Sequence, residues 1–414
     1  MNLRPSQINK LSWLIILSSI CSISLWSILP INRYIEWIIN FSILFYAYIF
    51  YKKAYATFGK NYSIIFLYMI WMLIGCIRGL FACEIYMDFR WLTEGFQMLS
   101  LPILVFLFSN PYINQKILKK WFKYGLIIFG IYIIWVINIG AYHFYLGPIY
   151  LMGIFIYVLP KKWQLLILCL LVIMTTDLGA RAQVIKSIMT IILALCFMIH
   201  KIISTKLLIG IHYLFYGLTV ILLYLGITGS YNIFQKMQEN SGKYSQSRIV
   251  NGKRVEEDVS LDTRTFIYKE VIESAINHNY ILIGRTPARG NDEFYFEAVN
   301  KDKKGNVFRT NERHYNELCF PNIFTWLGII GMLLYCLIYI KASTLALHKS
   351  NNIYLKYLAV FVSFRWMLGW IEDANTFNIS NIALWMIIAM CFSPYFRKMN
   401  NYQFREWLKK CLPY

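Results

Sequence analysis

Residues 207–227 read LLIGIHYLFYGLTVILLYLGI, twenty-one consecutive residues without a charge. At about 1.5 Å of rise per residue, a helix of this length crosses the roughly 30 Å hydrocarbon core of a bilayer. Backbone groups in lipid must be satisfied internally, which requires helix rather than open sheet. Two residues later the character of the chain reverses. The stretch Gly229–Leu318 holds 14 of the 41 Lys and Arg and 13 of the 21 Asp and Glu. Residues 228 and 229 therefore divide lipid-embedded chain from water-facing chain.

The same reading extends outward in both directions. The chain is 58% hydrophobic and 18% aromatic, and runs such as Leu11–Leu29, Tyr62–Ile77, Val184–Ile199 and Ile329–Ile340 repeat the pattern. Hydropathy and flanks predict twelve spans, near 11–29, 34–51, 62–80, 95–109, 122–140, 143–159, 163–177, 182–199, 207–228, 319–340, 353–370 and 378–394. The expected class is an all-α polytopic membrane protein with one large outward loop. Nine spans fill 1–228, the loop is 229–318, three spans fill 319–394, and a basic tail covers 395–414. The first run lacks a small-x-small cleavage site and further spans follow it, so it is read as a span and not a signal peptide.

A net charge of +20 suggests nucleic acid until its distribution is examined. Alternate connections carry 21 of the 41 basic residues against a single acid, Glu406, and the other side is neutral. This is the positive-inside pattern, with both termini cytoplasmic and the long loop outside. No nucleic-acid partner is expected. The tail Tyr402–Leu412, with Phe404, Trp407 and Leu408, is expected to lie on the anionic inner leaflet. The nine cysteines form no CxxC or Cys/His metal spacing, and P-loop, HExxH, GxSxG and GxGxxG motifs are absent. No metal or cofactor is called for.

Within the loop, Val250-Asn251-Gly252-Lys253 predicts a hairpin turn or a linker. From Asp262, as N-cap, to Asn277 the spacing Ile267/Tyr268, Val271/Ile272, Ala275/Ile276 predicts a helix with an apolar stripe. It should lie on the membrane surface or against the spans. A second hairpin is expected between Phe294–Val299 and Val307–Thr310.

Ionisable groups at membrane edges are the informative ones, because a charge at the centre of a span costs roughly 2.5–3.5 kcal/mol. The outward connections hold Arg33, Arg78, Arg90, Arg181, Lys186 and Arg365 beside Glu36, Glu84, Asp88, Glu94, Asp177, Glu372 and Asp373. Each Lys or Arg has an alternative reading as a snorkelling anchor. Arg181 sits in the tight turn Asp177-Leu178-Gly179-Ala180-Arg181, where it either pairs with Asp177 or stays open to a ligand. A planar guanidinium suits phosphate. Arg181, Arg264, Arg285 and Arg289, with Arg78 and Arg90, are therefore candidates for a diphosphate cradle. His314 stands just before a span, with Glu317 three residues on, and either side chain can serve as a general base or be surface decoration.

At three places the chain resembles the O-antigen polymerase and O-antigen ligase superfamily. Gly179-Ala180-Arg181-Ala182 is similar to its small-Arg-small turn. The stretch from Thr263-Arg264 to Ile283-Gly284-Arg285 is similar to its loop helix and apolar-Gly turn. His314-Tyr315-Asn316-Glu317 leading to Gly328-Ile329-Ile330-Gly331 is similar to its His-containing approach to a span. In the ligase pattern the His stands about eleven residues before the first Gly. Here that place belongs to Glu317, and His314 stands fourteen before Gly328.

The resemblance implies a metal-independent, inverting glycosyltransferase of the multi-span GT-C type in a bacterial cytoplasmic (inner) membrane. Its donor would be a glycan on undecaprenyl diphosphate. The acceptor would be a growing O-antigen, capsule or exopolysaccharide chain, or lipid A core in the ligase alternative; a chain-length regulator is a possible partner. A polysaccharide or lipid transporter is the reading from another class. Tyr280, Phe294, Tyr295, Phe296 and Tyr315 either stack on sugars or pack the loop.

Overall fold

The charge-free run forms one helix, Thr205–Ile227. It exposes Leu207, Leu214, Val220, Ile221 and Tyr224 along its length. An apolar face of that extent is tolerated in lipid and not in water. The computed structural model describes residues 4–176, 180–228, 245–250, 253–258, 264–293, 299–301, 307–310 and 312–413. Helix dominates. Among the described residues six helices are long and apolar enough to cross a membrane, within Arg33–Tyr51, Ser63–Ala82, Tyr86–Phe108, Arg181–Met198, Thr205–Leu225 and Cys319–His348.

In chain order the helices are α1 (Pro5–Ser24), α2 (Arg33–Phe58), α3 (Ser63–Ala82), α4 (Tyr86–Leu99), α5 (Leu104–Phe108), α6 (Pro111–Lys120), α7 (Leu126–Tyr132), α8 (Tyr142–Tyr145), α9 (Gly147–Ile154), α10 (Lys161–Ile173), α11 (Arg181–Met198) and α12 (Thr205–Ile227). After the loop helix α13 (Arg264–Asn277) come α14 (Cys319–His348), α15 (Ile353–Leu368), α16 (Ile379–Phe392), α17 (Pro394–Lys398) and α18 (Asn401–Lys410). All fourteen residues of α16 are buried, the signature of a helix at the centre of a bundle. Helices α3, α15 and α16 pack along α14.

Two of the expected spans, 122–140 and 143–159, divide into short pieces. The stretch 122–140 divides into a π turn (Trp121–Gly125), α7 and a 3-10 turn (Ile133–Trp135). It then pairs in extended form with the end of the first span, through Ile28 N–H to Trp135 O (3.0 Å) and Ile137 N–H to Trp26 O (2.9 Å). The stretch 143–159 divides into α8, α9 and a 3-10 turn, with Pro148 in the first turn of α9. Proline has no N–H to continue an incoming helix and fits the first turn of a new one. The tail also differs from expectation. Phe404, Trp407 and Leu408 of α18 are buried against the bundle, with Phe404 stacked on Tyr354 and Trp407 Nε1–H donating to Pro111 O (2.9 Å). The apolar face meets protein, and Arg405 and Lys410 remain exposed.

Most loop elements lie where the residue pattern puts them. β1 (Ser245–Val250) pairs antiparallel with β2 (Lys253–Asp258), Val250 opposite Lys253. β3 (Asn291–Asp292) pairs with β6 (Glu312–Arg313), and β4 (Val299–Lys301) with β5 (Val307–Thr310). Asp262 and residues 294–298 lie outside the described residues. On α13 the buried stripe is Ile267, Val271 and Ala275, and Ile267 and Val271 cluster with Leu318 at the head of α14. Ile272 and Ile276 are exposed.

The loop is moored where α14 is broken. Gly328 has φ +69 inside α14, and Gly284 has φ +74 in the segment after α13. The break frees backbone groups, and the loop together with Trp71 of α3 satisfies them. Ile329 N–H donates to Ile281 O (2.9 Å), Arg285 N–H to Thr325 O (2.7 Å), and Trp71 Nε1–H to Leu327 O (2.9 Å). The two backbones touch so closely that a Cβ on Gly328 would lie 2.3 Å from Leu282 O, and one on Gly284 2.4 Å from Leu327 N. Non-helical backbone at membrane depth survives only when protein covers it in this way.

Candidate functional site

On α11 the polar residues Gln183, Lys186, Ser187 and Thr190 recur at i, i+3, i+4 and i+7 and are all buried. That spacing forms one polar stripe on a helix that is otherwise apolar. Lys186 leads it inward, and Lys186 Nζ lies 2.9 Å from Glu372 Oε1. Arg365, in the last turn of α15, places Nη2 3.0 Å from the same oxygen. After α15 the chain reverses at Gly369, and Glu372 N–H donates to Leu368 O (2.9 Å), which returns the carboxylate toward Arg365. The side chains are 3% (Lys186), 1% (Arg365) and 6% (Glu372) exposed. Two cations thus share one carboxylate away from water.

Further polar groups surround the three. His143 and Tyr150 lie within electrostatic reach of Arg365. Tyr150 and Ser187 lie within hydrogen-bonding reach of each other, whereas His143 Nε2, Gln183 Oε1, Arg365 Nε and Glu372 Oε2 are buried with no hydrogen-bond partner among the described residues. Leaving one such group unmet costs about 1–3 kcal/mol, so a cluster of them requires water or a polar ligand. Both cations share Glu372 Oε1, while Asp373 acts on Lys186 only electrostatically, and the mixed donors and acceptors suit a hydroxylated or phosphorylated ligand.

The turn 369–376 joins this cluster to the long loop. Arg264 Nε–H donates to Ile371 O (2.9 Å), and the Tyr268 hydroxyl donates to Trp370 O. Cys319 N–H, opening α14, donates to Glu372 O (3.0 Å). The Tyr315 hydroxyl donates to the Asp373 carboxylate and lies 2.9 Å from Thr376 Oγ1. Burial and the adjacent Asp373 push the Tyr315 phenol well above its ordinary range, so it remains a donor. Asp373 itself is occupied, accepting from the N–H groups of Asn375 (2.9 Å) and Thr376 (3.0 Å).

His314 lies on a different side of the same segment. Its ring stacks on Trp91 with centroids 4.7 Å apart and an interplanar angle of 10°. Nε2 is 3.0 Å from Pro287 O; a carbonyl can only accept, so Nε2 carries the hydrogen and Nδ1 is the basic nitrogen. Burial is the main cause that lowers the imidazole below its ordinary value, against smaller opposing effects of Pro287 O, Glu94 and Glu312. Glu317 is exposed and makes no hydrogen bond or ion pair among the described residues.

The six candidate arginines go to separate partners. Arg289 forms a forked pair with Glu312 (2.9–3.2 Å), which also accepts from Gly290 N–H (2.8 Å). Arg285 bonds Asp292 Oδ1 (2.9 Å) and Gly290 O (2.8 Å). Arg78 donates to Ile283 O (2.7 Å) and Gly284 O (3.0 Å), clamping the loop at its mooring. Arg90 shares Glu94 with Arg33, at 3.2 and 2.8 Å. Arg264 reaches the 369–376 turn. Arg181 opens α11, five residues before Lys186, and its local candidate partner Asp177 lies outside the described residues. Arg285, Arg289 and His314 thus gather around Pro287–Gly290, whereas Arg181 and Arg264 attach to the elements that carry the buried cluster.

Reading edge charges one at a time hides the meeting of Lys186, Arg365 and Glu372. The available signal was the polar spacing of α11, together with two charges of opposite sign flanking the end of α15. Comparison with family models, with curated proteins and with solved structures finds no match for the chain.

Proposed function

We propose that the protein is an inverting membrane glycosyltransferase. It uses an oligosaccharide on undecaprenyl diphosphate at the outer face of a bacterial cytoplasmic membrane and polymerises repeat units into a polysaccharide. The proposal includes the twelve-span, GT-C-like topology with both termini cytoplasmic. The observation that carries it is the buried pair of cations, Lys186 and Arg365, on one carboxylate, at the end of the bundle where the long loop is moored.

The chemistry follows from that charge. The acceptor hydroxyl oxygen attacks the anomeric carbon, its proton passing to His314 Nδ1 or to Glu317. The bond from that carbon to the diphosphate oxygen breaks, and its electron pair leaves with the diphosphate. Negative charge therefore grows on the leaving group, and preorganised cations in a water-poor site stabilise it. Arg181 and Arg264, on elements of the same cluster, are the loop-side arginines best placed to extend the cradle. Glu372 orients the two cations without cancelling both. With lipid A core as acceptor, the same parts would perform the ligase reaction.

A transporter for an anionic glycan or lipid is the second reading, because ionisable residues inside spans also mark transport paths. The test is purified protein incubated with an undecaprenyl-diphosphate-linked oligosaccharide, with products separated by size. A ladder supports polymerisation, and a single transfer to added lipid A core supports the ligase alternative. Unchanged donor in both incubations would refute the enzyme.

A further inference from the structure

At the end of the bundle opposite the long loop, a groove of about 690 Å³ opens between α1 and the α6–π turn segment. Lys116, Lys119, Lys120 and Lys123 line it, and no carboxylate does among the described residues. Their spacing of i, i+3, i+4 and i+7 puts them along one helix face. Aromatic rings hold the ammonium groups over that groove. Lys120 Nζ lies 4.1 Å from the centre of the Trp13 ring, Lys123 Nζ 4.9 Å from Tyr124, and Lys116 Nζ 5.3 Å from Tyr112. Asn9 fixes Lys120 further, its backbone carbonyl accepting at 3.2 Å. The π turn at Trp121–Gly125 lies within this wall, and such turns recur at binding sites.

Deeper along the same two helices the surface becomes apolar. Leu17 follows Trp13 by one turn on α1, and Ile127 and Ile131 follow Tyr124 on α7; all three are exposed. A basic, aromatic-rimmed groove that continues into an exposed apolar track matches an amphiphile with an anionic head and acyl chains. A single phosphate diester offers one negative charge to these lysines. A headgroup with two phosphates matches them better, as basic pockets between spans on the cytoplasmic side generally do.

We propose that this groove is a binding site for a bilayer phospholipid with two phosphates, of the diphosphatidylglycerol type. The head lies among Lys116, Lys120 and Lys123, and the chains run along Leu17, Ile127 and Ile131. The site is separate from the glycan chemistry and does not depend on it.

The test uses full-length protein in phosphatidylcholine nanodiscs doped with diphosphatidylglycerol, with retained lipid counted by native mass spectrometry after release into detergent. The triple variant Lys116→Gln/Lys120→Gln/Lys123→Gln should retain at least about tenfold less of that lipid. The triple Lys→Arg variant should retain it, which separates loss of charge from loss of fold. The control Lys161→Gln/Lys162→Gln/Lys398→Gln, which removes equal charge elsewhere, should bind as the parent does. Equal loss in that control would reduce the effect to general surface charge and overturn the proposal. So would undiminished lipid on the triple Gln variant, or displacement of the lipid by inorganic pyrophosphate at equal concentration.

Discussion

The moored part of the long loop and the buried cluster between α11 and α15 are both rich in cations, but they balance them differently. In the loop the arginines are matched. Arg289 faces Glu312, Arg285 faces Asp292, and Arg313 meets Glu293, with Glu270 3.8 Å away. In the bundle Lys186 and Arg365 contact a single carboxylate oxygen, Glu372 Oε1, and Asp373 acts on Lys186 without an ion-pair contact among the described residues. Matched pairs hold a shape and leave little charge for a ligand. Two buried cations that share one carboxylate oxygen keep more of their attraction for an anionic ligand. The difference separates scaffold from site, and it moves the centre of the proposed diphosphate cradle from the loop into the spans.

The contrast can be broken most severely at its acid. Glu372→Ala removes the one carboxylate that both cations contact, and removing one partner of a buried pair costs about 3–5 kcal/mol. Thermal unfolding in detergent should show that loss together with lost turnover. A scaffold mutation of somewhat smaller weight is Gly328→Ala. A Cβ there is strained by the positive φ and meets Leu282 O at 2.3 Å, so the loop should detach from α14 at a cost of about 1–3 kcal/mol. Proteolysis within 229–318 would rise, and the ion pairs of the buried cluster would stay in place.

A smaller effect is expected at a matched pair. Arg289→Met leaves Glu312 with its Gly290 N–H bond, so stability should fall by about 1–2 kcal/mol and donor binding should hold. The smallest effect is on pH dependence. Burial keeps His314 neutral below its ordinary value of 6.5, so a His314 base should give flat activity above that pH and an acid limb below it. The unfolded chain takes the proton first as pH falls, so stability in this window decreases with acidification. An acid limb that survives in Glu317→Gln and vanishes in His314→Gln would identify the base.

Local features were readable in the sequence because local chemistry decides them. Asn251-Gly252 marked the hairpin whose strands pair at Val250 and Lys253. The Ile267, Val271, Ala275 spacing marked the buried stripe of α13. Gly284 and Gly328 both stood out in motifs, yet each explains the other only when their backbones meet. Hydropathy sums also conceal breaks, since 126–137 carries no charge and still ends in an extended pairing of Val136 with Ser27. Lys186 and Glu372 are 186 residues apart, and no spacing rule links them. Side chains named singly as edge charges become a site only through the fold.

The central claim is that the cation pair sharing Glu372 binds the diphosphate, with Lys186 as its leading contact. Its most direct test is equilibrium binding of undecaprenyl diphosphate to the parent protein, Lys186→Met and Arg289→Met. Lys186→Met leaves a balanced Arg365–Glu372 pair, so the fold should persist. A charge-assisted hydrogen bond contributes about 1.5–3 kcal/mol, so affinity should fall roughly tenfold or more. Arg289→Met should bind as the parent does. Undiminished affinity in a folded Lys186→Met protein would contradict the account.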